Sequence, residues 1–293
     1  MGERTSNLKL LFIVNPGSGS GQINFTEVIG DYFADREEDF EIYELPENCA
    51  ISQIKKAIET AKADRVIAVG GDGTLKLVSE CVLQTDTPIG IIPAGSANGM
   101  AKELGIPTAI PEALDMAING NIKKIHAINV NGELCIHLAD IGFNAHLVKK
   151  FDALPQRGML AYAKAAWQAL WKHYKMEVEF QIKDKTIRAK AAMVVVANAT
   201  MYGTGVKINP EGKLDDDLFE VILVKEYSVM EILKLRFTNL PFNPKNIESF
   251  QTKDLSIKTR HKAHFQVDGE YIGKVNSIKA NLLPTAICII TNA

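Results

Sequence analysis

The stretch VGGDGTLKLV, residues 69–78, places three glycines, an aspartate and a threonine between an apolar run and a helix-like segment. The apolar run RVIAV, at residues 65–69, predicts a buried β-strand. Glycine lets backbone N–H groups approach an anion closely, and the N-terminus of a following helix adds a favourable dipole. The stretch therefore predicts a phosphate-binding turn between a strand and a helix.

The same order of strand, loop and helix repeats across residues 1–125. Strand-like runs occupy residues 9–14, 40–45, 65–69 and 88–93, and helix-like segments occupy residues 51–63, about 74–83, 97–104 and 111–120. This alternation is typical of βαβ units around a parallel sheet. We expect residues 1–125 to form a Rossmann-like, nucleotide-binding α/β domain.

The pattern changes after this domain. Strand-like runs dominate residues 126–293, and turn signals such as Asn131 with Gly132 and Asp268 with Gly269 join several of them. Helix-like segments at about 158–175 and 228–239 interrupt the series. We expect residues 126–293 to form an antiparallel β-sandwich domain with inserted helices.

Composition and charge exclude several classes of function. The chain has 293 residues and a net charge of −2, so no global basic field indicates a nucleic-acid partner. Its apolar runs are all shorter than the roughly 18 residues that a membrane-spanning helix needs. The four cysteines are scattered without CxxC pairs, as in a reduced protein. We therefore expect a cytoplasmic location.

Two further loops resemble GGDGT (70–74) in being rich in glycine and small polar residues. They are NPGSGSG (15–21) and PAGSAN (93–98), and each follows a predicted strand. Loops that leave the carboxyl ends of parallel strands lie at one edge of the sheet, where such sheets bind ligands. The residues expected to hold a nucleotide and its metal are Asn15, Gly70, Gly71, Asp72, Gly73, Thr74, Gly95, Ser96 and Asn98.

Asp72 has two interpretations. A carboxylate among phosphate-binding glycines repels the anion unless a cation lies between them. Mg²⁺ is commonly bound by one or two carboxylates together with phosphate oxygens, so Asp72 is a candidate metal ligand. The alternative is a capping residue at the N-terminus of the following helix. The glycines around Asp72 favour the metal ligand.

Five elements around GGDGT resemble the diacylglycerol kinase catalytic-domain family, which includes bacterial diacylglycerol kinase-like lipid kinases, ceramide kinases and sphingosine kinases. They are NPGSGSG, PAGSANGMAKELGIP, ADIGFNAHLV, YGTGVKINPEGKLDDDLFEVILV and HFQVDGEYIG, at residues 15–21, 93–107, 139–148, 202–224 and 264–273. The resemblance extends along nearly the whole chain. It implies an ATP- and Mg²⁺-dependent kinase of lipid metabolism, including phospholipid biosynthesis, that phosphorylates a lipid hydroxyl such as that of diacylglycerol or a sphingoid base.

The resemblance also implies roles for acidic residues in the second domain. It makes Asp268 of VDGE the general base, with Glu270 beside it as an orienting or metal-linked carboxylate. On the residues alone, Asp268 and Gly269 also fit a hairpin turn. The acidic run at 215–217 stands where the family has a structural metal site, which makes Asp215 and Asp216 candidate ligands. A solvated acidic turn is the alternative.

Two other functions remain open, one of them because the chain departs from the family pattern. Lys76 and Leu77 follow GGDGTL where the family often has Asn-Glu, and Gly99 stands where bacterial diacylglycerol kinases often have an aspartate. A non-catalytic nucleotide-binding regulator therefore remains an alternative. A soluble NAD kinase-like enzyme is another, because NAD kinases share the GGDG element.

A lipid substrate implies contact with a membrane surface. The segment 158–176 contains both tryptophans and several lysines, a pattern typical of a helix that packs on a sheet or lies on a membrane. If part of this segment lines a groove for acyl chains in the second, lipid-binding domain, Phe237, Leu240 and Phe242 would extend that groove. We expect peripheral membrane contact and no nucleic-acid partner, with a homodimer left open.

Overall fold

The computed structural model describes residues 8–18, 23–142, 144–146, 175–182, 185–201, 207–226 and 242–292. The chain divides into two compact units, residues 1–125 with 285–293 and residues 126–284. The first is a parallel α/β unit and the second is an antiparallel β-sandwich, which confirms the predicted fold class. Residues 158–174 and 228–239, predicted as inserted helices, lie outside the described residues, as do Phe237 and Leu240.

The first unit is built on a parallel sheet. Its strands β1 (Lys9–Val14), β2 (Asp39–Glu44), β3 (Arg65–Gly70) and β4 (Pro88–Pro93) lie side by side in the order β4-β3-β1-β2. Its helices are α1 (Phe25–Phe33), α2 (Ile51–Ala61), α3 (Asp72–Cys81), α4 (Gly99–Glu103) and α5 (Ile110–Asn119). β1, β3 and β4 are buried almost from end to end, as their near-continuous apolar runs require.

Local sequence explains where the helices begin and which face they bury. The side chain of Asn24 accepts a hydrogen bond from the N–H of Glu27 and caps α1, which buries Phe25, Ile29 and Phe33 at helical spacing. α5 has a proline in its first turn and is followed by Gly120. Within the described ranges, no helix is long and apolar enough to cross a membrane.

The second unit is built from antiparallel strands. They are β5 (Asn121–Val130), which begins in the first unit, β6 (Glu133–Cys135), β7 (Leu138–Gly142), β8 (Met176–Ile182), β9 (Lys185–Ala191), β10 (Met193–Ala197), β11 (Phe219–Val224), β12 (Ile247–Thr252), β13 (Asp254–Val267) and β14 (Glu270–Thr291). Antiparallel pairing runs in the order β12-β11-β10-β7-β13-β14, and β8 joins β13 to β9. Phe180, Phe219 and Phe265 are fully buried in the core between the strands.

Two hairpins turn where the sequence predicts them. Asn131 and Gly132 have φ of 56° and 93°, and Asp268 and Gly269 have φ of 51° and 87°. Two successive residues with positive φ make a turn whose twist matches that of the flanking strands, and Asn-Gly and Asp-Gly are the favoured pairs. These turns connect β5 to β6 and β13 to β14.

β14 contributes to both units. Its last part pairs in parallel with β4, with Cys288 opposite Pro88 and Ile289 opposite Ile89. Side chains of residues 286–290 are buried there. Residues 285–293 therefore belong to the first unit, whereas the sequence interpretation assigned them to the second domain.

Candidate active site

The loops that follow β1, β3 and β4 meet at the carboxyl ends of these strands. The side-chain N–H of Asn15 donates to Thr74 Oγ1 at 3.1 Å, and its Oδ1 accepts from the N–H of Gly17 at 3.0 Å. The N–H of Ala94 donates to the carbonyl of Gly70 at 2.9 Å. The structure thus brings together the three glycine loops that the sequence singles out.

Glycine is required where two of these loops touch. A Cβ atom on Gly95 would lie 2.5 Å from the Cα of Gly71, and one on Gly71 would lie 3.2 Å from the Cα of Gly95. A Cβ on Gly70 would lie 2.2 Å from Thr74 Oγ1. A side chain at Gly95 or Gly70 would therefore force the surrounding loops apart.

The PAGSAN loop is closed by the side chain of Asn98. Its Oδ1 accepts from the N–H of Gly95 at 2.8 Å, and its Nδ2 donates to the carbonyl of Gly95 at 2.8 Å. Asn98 itself has φ of 50°, a left-handed conformation that asparagine tolerates. The closed turn leaves Ser96 and Ala97 exposed at its tip.

Asp72 links two of the loops. It is the first residue of α3, and Gly71 occupies the N-cap position without a side-chain cap. The carboxylate instead accepts the N–H of Gly99 at 2.9 Å and the N–H of Met100 at 3.0 Å, both at the start of α4. Asp72 therefore caps the next helix along the chain rather than its own.

The first turn of α3 offers backbone donors to an anion. The N–H groups of Asp72, Gly73 and Thr74 have no acceptor among the described residues, as is usual for the first turn of a helix. Such groups bind phosphate oxygens readily because the helix dipole favours negative charge there. The close-packed glycines Gly70, Gly71 and Gly95 form a cradle, and this cradle and the N–H donors fit the phosphates of a nucleotide.

Asp72 also fits a metal ion that phosphate oxygens help to bind. No group of three histidine, cysteine, aspartate or glutamate side chains within the described part of the chain would hold a metal by itself. Mg²⁺ needs only one or two carboxylates when phosphate oxygens complete its coordination. Each oxygen of Asp72 accepts one of the two hydrogen bonds from α4, which leaves acceptor capacity on both.

Two departures from the family pattern lie at this site. Lys76 is only 4% exposed and lies one helical turn beyond Asp72. Gly99 contributes its N–H to Asp72, whereas an aspartate at this position would bring a second carboxylate close to the first.

Asp268 is anchored within the second unit. Its Oδ1 accepts the N–H groups of His137 and Leu138 at 2.9 and 3.0 Å, and its Oδ2 accepts the N–H of Ile136 at 2.9 Å. The carboxylate thus fastens the turn between β13 and β14 to the segment between β6 and β7. Glu270 follows this turn and is exposed.

The acidic run 215–217 contacts both its own loop and a buried histidine. Asp216 Oδ1 accepts the N–H of Leu218 at 3.2 Å, and Asp215 is exposed. The N–H of Asp217 donates to Nε2 of the buried His126 at 2.7 Å. In the described ranges these side chains form no three-residue metal cluster, so Asp215 and Asp216 stay predicted ligands.

A buried carboxylate follows this run. Glu220 accepts hydrogen bonds from Asn209 Nδ2 at 2.6 Å and from Gln251 Nε2 at 3.0 Å. Burial, with a smaller contribution from the charge of Asp216, raises the pKa of Glu220 above its ordinary value. The Glu220 carboxylate therefore links Asn209 to Gln251 inside the second unit.

Sequence reasoning missed a buried network next to the turn of Asp268. Asp140 is fully buried and accepts hydrogen bonds from Gln266 Nε2 at 2.5 Å, Asn144 Nδ2 at 2.6 Å and the N–H of Ala145 at 2.9 Å. Gln266 Oε1 in turn accepts the N–H of Gly269 at 2.7 Å. The available signal was a lone carboxylate inside the apolar strand LADIG.

Two family models together cover most of the chain. Residues 9–130 match the diacylglycerol kinase catalytic domain, and residues 138–291 match the YegS C-terminal NAD kinase beta sandwich-like domain. The second match alone spans more than half of the chain.

Relatives in several bacteria are similar over most of the chain. An uncharacterized protein of Synechocystis sp. is 29% identical over 82% of this chain, which spans only 58% of that relative. A probable lipid kinase YegS-like of Chromohalobacter salexigens and a diacylglycerol kinase of Bacillus subtilis are each 28% identical over 80% of the chain. The matches span 79% and 80% of those two proteins.

Solved structures share the fold. A diacylglycerol kinase from Bacillus anthracis superimposes with a TM-score of 0.77 at 21% identity, covering 99% of this chain and 98% of that one. An NAD kinase from Archaeoglobus fulgidus in complex with ATP gives a TM-score of 0.56 at 14% identity, covering 97% and 94%. At these identities the similarity shows a common fold.

Proposed function

Because the chain belongs to the diacylglycerol kinase catalytic-domain family, we propose that it transfers the γ-phosphate of ATP to the hydroxyl of a lipid. The acceptor is diacylglycerol, a sphingoid base or another lipid alcohol. The observation that carries this proposal is the junction of the three glycine loops, where Gly71 touches Gly95 beside the open N–H groups of α3.

The nucleotide phosphates bind in the cradle of these loops. The N–H groups of Asp72, Gly73 and Thr74 bind phosphate oxygens, and exposed Ser96 adds a hydroxyl donor. Asn15 and Asn98 hold the loops in shape through the hydrogen bonds described above. Mg²⁺, when bound by Asp72 and the phosphates, neutralises charge that develops on the transferred group.

The acceptor hydroxyl needs a group that removes its proton as the phosphoryl group is transferred. We assign this role to Asp268. The N–H groups of Ile136, His137 and Leu138 donate to its carboxylate and hold it in one orientation, as a general base requires. Glu270, beyond the same turn, orients the acceptor.

Transfer of radiolabel from γ-³²P-ATP to a panel of lipids in mixed micelles with Mg²⁺ tests this function. We expect one lipid class to be labelled, and we expect Asp72→Ala and Asp268→Asn to reduce its labelling by about 10²-fold or more. Asp254→Asn is the matched control and should retain full activity, because Asp254 is exposed and its hydrogen bonds to Thr252 Oγ1 are made by its backbone N–H and carbonyl.

Three outcomes would contradict the proposal. ATP binding without a labelled lipid would indicate a nucleotide-binding regulator. Formation of NADP from NAD would indicate an NAD kinase-like enzyme instead. Full activity in Asp268→Asn would remove Asp268 from the mechanism, provided that the thermal unfolding of the variant matches that of the wild type.

A further inference from the structure

A charged groove of about 620 Å³ lies on the second unit and is lined entirely by β8, β9 and β13. Its charged lining residues are Glu177, Glu179, Arg188, Lys190, Lys258 and Arg260. All of them are distinct from the residues assigned to the reaction above.

Strand register explains why these charges gather on one face. Across β8 and β9, Glu177 lies opposite Lys190 and Glu179 lies opposite Arg188. Across β8 and β13, Glu179 lies opposite Lys258. Because side chains two residues apart share one face of a strand, the cations of both outer strands flank the two glutamates of the central strand.

The glutamates neutralise only part of this positive charge. Arg188 Nε lies 2.7 Å from Glu179 Oε2, and an Arg260 guanidinium nitrogen lies 3.2 Å from Glu177 Oε2. Lys190 and Lys258 are exposed and form no ion pair with any described carboxylate. Four cations and two anions give the groove a charge of +2, in a chain whose net charge is −2.

The arginines are also accessible to a second anion. Their side chains are 79% exposed in Arg188 and 68% exposed in Arg260. Exposed ion pairs of this kind contribute little to stability, so an arginine can exchange its carboxylate for a phosphate at little cost. Lys190 and Lys258 supply the charge that such a phosphate needs.

We propose that this groove docks the protein on a bilayer by binding the anionic headgroups of its phospholipids. The inference rests on the proposed function, because a kinase that phosphorylates a lipid must reach an acceptor held in a bilayer. An anionic membrane attracts clustered lysine and arginine side chains, and this attraction falls off within about 10 Å at 0.1 M salt. The groove therefore acts only when it faces the headgroups directly.

Sedimentation with lipid vesicles tests the proposal on the 293-residue chain. We compare vesicles of phosphatidylcholine with vesicles that contain equal parts of phosphatidylcholine and phosphatidylglycerol. The double variant Lys190→Glu with Lys258→Glu should bind the anionic vesicles at least about tenfold more weakly than the wild type. Lys55→Glu with Lys56→Glu, on exposed positions of α2, makes the same change in net charge and should weaken binding by less than about threefold.

A variant with the opposite effect sharpens the test. Glu177→Gln with Glu179→Gln removes both negative charges from the groove and frees the arginines, so binding to anionic vesicles should tighten several-fold. Binding that falls equally in the two lysine variants would overturn the proposal in favour of an effect of net charge. Binding of inorganic phosphate at the groove without vesicle binding would overturn the bilayer as its occupant.

The kinase assay separates this proposal from the proposed function. In micelles of neutral detergent, the double variant Lys190→Glu with Lys258→Glu should transfer phosphate to dispersed lipid at the wild-type rate, because the micelle surface carries no charge. A wild type that binds anionic vesicles through the groove but labels no lipid would overturn the proposed function alone.

Discussion

A methyl group at Gly95 would occupy space that the backbone of Gly71 already fills. Because backbone atoms cannot swing aside as a flexible side chain can, the loops after β3 and β4 would have to separate. Overpacking of this kind costs about 1–3 kcal/mol. The separation would also move the N–H groups in the first turn of α3 away from the PAGSAN loop.

Gly95→Ala should therefore weaken ATP binding by about tenfold or more, measured by isothermal titration calorimetry. Gly30→Ala is the control, because a Cβ at this position in α1 meets no atom within 4 Å. Alanine in a helix interior should stabilise the protein by about 0.5–1 kcal/mol and leave ATP affinity unchanged. Equal affinities in Gly95→Ala and the wild type would exclude a phosphate cradle at this contact.

The sequence shows which loops and residues are candidates for the site, but it does not show which atoms those residues contact. The glycines and Asp72 stand out because they follow apolar strands at short range. The hydrogen bonds of Asp72 reach Gly99 and Met100 in a different loop, and only the packing of β3 beside β4 brings them close. Propensity and spacing carry no information about a contact of this kind.

At the scale of elements, the hairpins and buried strands were predictable because their signals are local. Asn131 and Gly132 turn as their residue types require, and β4 spans the predicted residues 88–93. The start of α3 was less accurate, since the helix begins at Asp72 rather than at Thr74. Asp72 and Gly73, the two residues before Thr74, have low helix propensity, and the surrounding loops hold them in helical conformation.

Asp140 joins three pieces of the second unit. Its carboxylate accepts hydrogen bonds from β13, from Asn144 and from the N–H of Ala145, while the residue itself lies in β7. Asparagine at this position would offer one acceptor oxygen and add two N–H donors among groups that already donate. The buried N–H donors would then outnumber the acceptor sites, and a buried donor without an acceptor destabilises a fold strongly.

Asp140→Asn should lower the free energy of unfolding by about 3 kcal/mol, as measured by urea denaturation monitored by circular dichroism. The exposed Asp254 provides the comparison, since Asp254→Asn should change the free energy by less than about 0.5 kcal/mol. A change below about 1 kcal/mol in Asp140→Asn would show that water or a rearranged side chain replaces the lost acceptor.

At the scale of the whole molecule, residues far apart in sequence complete one sheet. The last part of β14 pairs with β4, so residues 285–293 belong to the unit formed by residues 1–125. The side chains of residues 286–290 are each at most 2% exposed. Removing this strand would expose apolar surface worth several kcal/mol, a large share of the stability of an ordinary domain.

A chain that stops after Pro284 should therefore lose hydrogen-exchange protection in β3 and ATP affinity together. Protection of β10 in the second unit should persist, and mass spectrometry of peptides from the two strands measures both. A chain that stops after Thr291 keeps the strand and should behave as the wild type. Unchanged protection of β3 in the shorter chain would show that the sheet of the first unit is stable without this edge.

The place of this strand in the sequence sets an order of events on the ribosome. Residues 1–125 emerge earlier and β4 can pair with β3, but β4 lacks its second neighbour until the end of β14, residues 285–291, has also been made. An unpaired strand edge is a template for association with other chains, so the nascent protein is most exposed to aggregation during this interval. The sheet that carries the nucleotide loops is thus completed late in synthesis, and a chain interrupted midway carries the glycine motifs on a sheet that lacks one of its strands.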